Sequence, residues 1–132
     1  MSIPTILIAD DEPLTREGVR KFFERRIDCK ILEAKDGEEA LACLKDNSCD
    51  AMILDIRMPK KSGIHVLDEL KKMGKSVYTI VITGWDSDLV AEECVKRDVE
   101  ILPKPFSFDE VYKKVSQHLK KNGLLILKKQ QP

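Results

Sequence analysis

Long hydrophobic runs, a surplus of either charge and any paired cysteine spacing are all missing from this 132-residue chain. Without an apolar run near membrane-spanning length, no transmembrane segment is expected. The 23 Lys plus Arg are balanced by 23 Asp plus Glu, so there is no overall field to hold nucleic acid phosphates or an anionic membrane surface. A partner has to be recognised by a local surface. The four cysteines, Cys29, Cys43, Cys49 and Cys94, form no C-x-x-C pair and lie mostly within apolar stretches. That suits small buried hydrophobes in a reducing cytoplasm better than a disulfide framework. The opening MSIPTILIADDE has no basic segment before its short apolar run and acids directly behind it, so it is not expected to be a signal peptide. Internal repeats and low-complexity segments are absent too. The length fits one domain that can bury a core without disulfides or metals.

What is present is an apolar pattern that switches between short continuous runs and helix-spaced stripes. The runs are residues 5–9 (TILIA), 30–34 (KILEA), 51–54 (AMIL), 77–82 (VYTIVI) and 99–102 (VEIL). Three of them are apolar on both alternating faces, as strands covered on both sides are. Between them lie stripes marked by Leu14, Val19, Phe22 and Phe23; by Ala40, Leu41 and Leu44; by Val66, Leu67 and Leu70; by Ala91, Cys94 and Val95; and by Val111, Val115 and Leu119. Asp36 with Glu39 and Ser107 with Glu110 read as helix starts, Gly74 and Asn122-Gly123 as helix ends. The expected fold is α/β: (βα)5, a doubly wound five-stranded parallel sheet in the flavodoxin-like order 2-1-3-4-5. Residues 122–132 (NGLLILKKQQP) fall outside the pattern; they suit an extension of the last helix, a linker remnant or a small docking segment, and a partly ordered end is the favoured expectation.

In such a sheet the functional crevice lies beyond the carboxyl ends of the strands. Asp10, Asp11 and Glu12 follow the first run, Asp55 the third, Thr83 the fourth, and Lys104 with Pro105 the fifth. Each alone has an ordinary explanation, since an Asp after a strand often caps the next helix and a Lys is usually a solvated charge. Jointly they do not. Carboxylates gathered in one cleft repel one another and have to take up protons or find a cation. Asp10, Asp11 and Asp55 against Lys104 leave two formal negative charges, which one divalent ion neutralises. Mg²⁺ suits this all-oxygen set, and no His or Cys joins it to favour zinc. The chemistry such a set supports is phosphoryl transfer to a carboxylate, with Asp55 as nucleophile, Lys104 offsetting charge and Thr83 donating its hydroxyl.

The segments IADDE (residues 8–12), ILDIRMPKKSG (53–63), VITGW (81–85) and LPKPF (102–106) carry a family resemblance. By them the chain resembles the receiver domain of two-component response regulators over about residues 4 to 121, so residues 1–121 are expected to be that domain. The resemblance implies Asp55 as phosphoacceptor and a Mg²⁺ site made by Asp10, Asp11, Asp55 and the backbone carbonyl of Arg57. It implies Thr83 as the switch hydroxyl and Lys104 as the phosphate-pairing lysine. Met58 and Pro59 then shape the loop after the acceptor, Gly63 allows its return, and the Lys104–Pro105 bond is cis. Arg57 and Trp85 flank the phosphoryl group and restrict the approach of water.

Two positions depart from the family pattern. Gly84 stands where a small alanine is usual, and Ile101 where most receivers carry a Tyr or Phe that turns inward on activation. Without a ring at 101, the response is expected in residues 84–87 and the start of the fourth helix. The implied function is a cytoplasmic signalling switch that accepts phosphate from a sensor histidine kinase or a histidine phosphotransfer protein. The face of the fourth helix, fifth strand and fifth helix then controls a downstream target or output domain, or pairs in a homodimer. Direct contact with nucleic acid or membrane is not expected of this domain. Enzymatic chemistry is limited to its own phosphorylation and dephosphorylation. The alternative is a pseudo-receiver that binds without phosphate. A phosphohydrolase would need a second Asp where Arg57 stands, and a flavodoxin a Ser/Thr/Gly-rich loop after the first strand.

Overall fold

The computed structural model describes residues 3–84 and 88–128. Strand and helix alternate throughout: β1 (Thr5–Ala9), α1 (Pro13–Glu24), β2 (Lys30–Ala34), α2 (Gly37–Asp46), β3 (Ala51–Asp55), α3 (Gly63–Lys72), β4 (Tyr78–Thr83), α4 (Asp88–Lys96), β5 (Glu100–Pro103) and α5 (Phe108–Lys121). The five strands form one parallel sheet in the order β2-β1-β3-β4-β5, which is the expected architecture.

Strand period 2 divides the core into two layers. Leu7, Ala9, Met52, Leu54 and Val81 face α2, α3 and α4, packing on Ala40, Leu44, Val66, Leu70 and Cys94. Their neighbours Ile6, Ile8, Ala51, Ile53, Ile80 and Ile82 face α1 and α5, packing on Val19, Phe23, Val111, Val115 and Leu119. The central strands β1, β3 and β4 are buried almost end to end, whereas the edge strands β2 and β5 are partly exposed.

Helix starts follow the capping chemistry in the sequence. Asp36 accepts from the Glu39 N–H at 2.8 Å, and the Glu39 carboxylate reaches back to the Lys35 N–H at 2.9 Å, one residue before the cap. Ser107 and Glu110 form a reciprocal capping box at the start of α5. Gly74 and Gly123 both close helices at φ 70°, a conformation that favours glycine.

Several expectations need correction. The fourth and fifth strands begin one residue later than the apolar runs, because Ala51 of β3 pairs with Tyr78 and leaves Val77 no place in the ladder. Leu14 is 81% exposed and Val95 77% exposed. Leu14 lies five residues before Val19, about 140° away around a helix, and Val95 about 100° from the buried Cys94. Ala91 is exposed as well, and Val90 packs inward instead. All four cysteines are free, but only Cys49 and Cys94 are buried. Beyond α5 the chain folds back. The Asp28 N–H donates to the Ile126 carbonyl and the Lys128 N–H to the Arg26 carbonyl, both at 2.8 Å, making an antiparallel bridge between Ile27 and Leu127. Leu124 and Leu125 pack on the α1–α5 layer of the core. Among the described residues no helix is long and apolar enough to cross a membrane.

Candidate functional site

Parallel register brings the strand ends level, with Ala9 opposite Leu54, Asp55 opposite Ile82 and Thr83 opposite Pro103. The polar residues just past or at these ends therefore share one edge of the sheet. Asp10, Asp11 and Asp55 each offer a carboxylate oxygen within 4.8 Å of the others. Asp10 and Asp55 are buried, whereas Asp11 is exposed at the mouth.

Asp55, 4% exposed, is held at both oxygens. Its Oδ1 accepts from the Arg57 N–H at 3.1 Å, and its Oδ2 accepts from Lys104 Nζ at 3.0 Å. Burial works against the charge of Lys104, but the hydrogen bond and charge of Asp55 prevail and lift its pKa. The Lys104 N–H donates to the Thr83 carbonyl at 2.8 Å, which ties the lysine-bearing turn to the strand end that carries the Thr83 hydroxyl. The Lys104–Pro105 bond is cis.

Asp10 is the strained member of the set. Its Oδ1 accepts from the Glu12 N–H at 2.9 Å, while its buried Oδ2 has no hydrogen-bond partner among the described residues. Burial pushes its carboxyl up to about 6 and Asp55's charge adds to this, against the Glu12 N–H and Lys104. An orphaned carboxylate oxygen inside an all-oxygen cluster is what a hard divalent cation satisfies, so the residues present fit Mg²⁺.

The loop after Asp55 turns back at Gly63. The Gly63 N–H donates to the Ile56 carbonyl at 3.0 Å, and a Cβ at 63 would stand 2.7 Å from the Asp55 carbonyl oxygen, so a side chain is excluded. Met58 is half-buried against the core. At Gly84 an added Cβ would meet only Lys104 carbons, at 3.6 and 3.9 Å. That is ordinary contact, so glycine there is not a steric necessity. Ile101 is half-buried in the layer facing α2, α3 and α4. Trp85 and residues 86–87 lie outside the described residues. One contributor was not read from the sequence: Arg16 on the first turn of α1 donates to the Asp10 carbonyl at 2.5 Å and to Glu33 at 3.2 Å. It lies six residues from Asp10 and seventeen from Glu33, and neither spacing is a helix or strand repeat that would pair them.

The statistical profile of the family described as "Response regulator receiver domain" matches residues 6–116. The chain is 32% identical over 121 residues to "Response regulator MprA" of Mycobacterium sp. (strain KMS), covering 89% of this chain and 51% of that protein. The chain thus spans about half the length of the curated relatives it matches. Among solved structures it is similar to a Francisella response regulator 1452 receiver domain, with TM-score 0.82, 31% identity, and coverage of 90% of this chain and 98% of that one. It is also similar to the N-terminal domain of a Wolinella succinogenes protein, WS1339, with TM-score 0.84, 27% identity, and coverage of 92% and 97%.

Proposed function

Because the chain belongs to the response regulator receiver domain family, we propose that it is a phosphorylation-dependent switch of a two-component relay, with Asp55 as the phosphoacceptor. The observation that carries this reading is the setting of Asp55, a buried carboxylate with one oxygen on a backbone N–H and the other on a lysine ammonium. The Arg57 N–H fixes the plane of the carboxylate, which reduces the orientational cost of attack. An Asp55 oxygen–phosphorus bond forms as the donor's histidine nitrogen–phosphorus bond breaks, and the electron pair leaves with the imidazole.

Lys104 then moves from the carboxylate to the phosphoryl oxygens, following the negative charge. Thr83 donates its hydroxyl to one of the same oxygens, drawing the end of β4 toward the site. Asp10, Asp11, Asp55 and the Arg57 carbonyl would hold Mg²⁺, which when bound supplies charge neutralisation at the phosphoryl group. The partners of this reading are a sensor histidine kinase or histidine phosphotransfer protein upstream and a target or output domain downstream. The face of α4, β5 and α5 is the part that changes.

The test is intact-protein mass spectrometry after incubation with acetyl phosphate and Mg²⁺. The parent is expected to gain one phosphate and Asp55→Asn none. Equal modification of Asp55→Asn would overturn the assignment, and no modification of either would favour a phosphate-independent binding module.

A further inference from the structure

We propose that the start of α2, Asp36-Gly37, positions the loop that presents the Arg57 carbonyl, and so sets the metal affinity of a site it does not touch. This rests on the Mg²⁺ reading given above and deepens it.

The loop of residues 56–62 between β3 and α3 is gripped from two sides. One grip is Gly63 beneath Asp55, already described. The other comes from a different element. The Gly37 N–H points at the Pro59 carbonyl, 3.5 Å away, and a Cβ at 37 would stand 2.1 Å from the Lys61 carbonyl oxygen and 2.5 Å from Lys61 Cβ. Backbone lies on backbone here, so α2 and the loop can be this close only with glycine at 37. The loop also turns through a left-handed residue, Lys60, at φ 69°. From there the Lys60 ammonium reaches Asp36 Oδ2 and Glu38 Oε2, each at 3.7 Å. Asp36 is 3% exposed, and its other oxygen is committed to the Glu39 N–H. The ionic grip is half in solvent and therefore weak, so the steric seat at Gly37 is the stronger of the two.

The consequence follows from what the loop carries. Side-chain ligands can re-aim by rotamer, but a backbone carbonyl moves only with its loop. A methyl group at 37 would drive the Lys61 carbonyl away by about 0.9 Å before reaching the shortest separation that real Cβ atoms show. Mg²⁺ demands near-ideal octahedral geometry and tolerates such a shift poorly. Gly37 and Lys60 are thus positioning residues. By the same linkage, filling the metal site draws on the first turn of α2, away from the face read in the family.

The experiment is a Mg²⁺ titration followed by amide NMR shifts, with urea unfolding in EDTA as the control for fold. Gly37→Ala is expected to raise the Mg²⁺ dissociation constant by about tenfold or more, with a metal-free urea midpoint below the parent's but a single cooperative unfolding transition that shows it is folded at the start of the titration. Lys60→Gln is expected to raise it about twofold to threefold, and Lys60→Arg to restore it. In the parent, the Gly37 and Glu38 amides should shift on saturation together with Asp11 and Arg57. Gly37→Ala binding Mg²⁺ within about twofold of the parent would overturn the proposal while leaving the metal site intact. Should Gly37→Ala fail to fold, silent Gly37 and Glu38 amides in the Mg²⁺-saturated parent would overturn it equally. A parent that takes up no Mg²⁺ would overturn the underlying reading and this one with it.

Discussion

At the amino end of the sheet, Arg97 sets two donors on Asp68, at 2.8 and 3.1 Å, and a third on Glu93. At the carboxyl end, Asp10 keeps a buried oxygen with no donor among the described residues. The two ends belong to one sheet and one core, yet they treat charge in opposite ways. Near the amino end Lys75 donates to the carbonyls of Leu44, Lys45 and Asn47 at the close of α2, and Asp50 accepts from the Thr5 N–H at 2.8 Å, pinning the start of β1. These charges are spent on partners supplied by the fold. At the carboxyl end three carboxylates gather, with Lys104 bonded to Asp55, an arrangement that could hold a cation. Satisfied charge holds the fold together; unsatisfied charge is what a ligand can use.

The largest effect that would break this contrast is the loss of ligand stabilisation. Mg²⁺ at about one hundred times its dissociation constant should stabilise the parent by about 2.7 kcal/mol, read as a rise in melting temperature. Asp11→Ala should abolish the rise entirely. Equal stabilisation of the two would remove Asp11 from the ligand set and leave the carboxyl end without its special status.

A second, somewhat smaller effect has the opposite sign. The Asp10 carboxyl is raised in the folded protein, from 3.8 to about 6. Well below pH 3.8 it is protonated folded and unfolded alike and exacts no penalty. As pH rises to about 6 the unfolded chain ionises first, so this group makes the metal-free protein progressively less stable. The shift corresponds to roughly 3 kcal/mol. Allowing for the burial of an amide, Asp10→Asn should stabilise the protein in EDTA by about 2 kcal/mol at pH 7, and the gain should vanish near pH 4. Urea unfolding at the two pH values checks this, and a variant less stable than the parent at pH 7 would contradict it.

The smallest effect tests the other end. Arg97→Ala should destabilise the protein by only about 1 kcal/mol, because Asp68 is half exposed. It should leave the Mg²⁺ response unchanged. A changed Mg²⁺ response would show that the two ends are coupled, and the contrast would need to be redrawn.

Much of this was legible in the sequence, for a physical reason. Strands buried on both faces have to be apolar throughout, so residues 5–9 and 51–54 announced themselves, and the polar residues after them could only lie at the sheet edge. Period alone served less well at helix ends. Leu14 and Val95 are apolar and near the right spacing, but a stripe is defined by angle, and each lies too far around its helix to reach the core. The gathering of Asp10, Asp11, Asp55 and Lys104 could be anticipated from topology. Contacts between backbones of distant segments could not, because neither Gly37 nor Lys60 has any local pattern that names the other. Arg16 was hidden for the same reason, since its partners are chosen by tertiary placement.

The folded-back segment after α5 bears on how the domain can be handled. Ile27 has no exposed surface, and the Asp28 N–H and Arg26 carbonyl are taken up by residues 126 and 128. A fragment cut after Lys121 would keep every strand and helix and all of the acidic site. It would lose the Leu124 and Leu125 cover from the α1–α5 layer and leave one backbone donor and one acceptor beside Ile27 to solvent. Such a fragment trades a closed seam for a sticky edge, so a fusion junction or an expression boundary belongs after Lys128 rather than at the last helical residue.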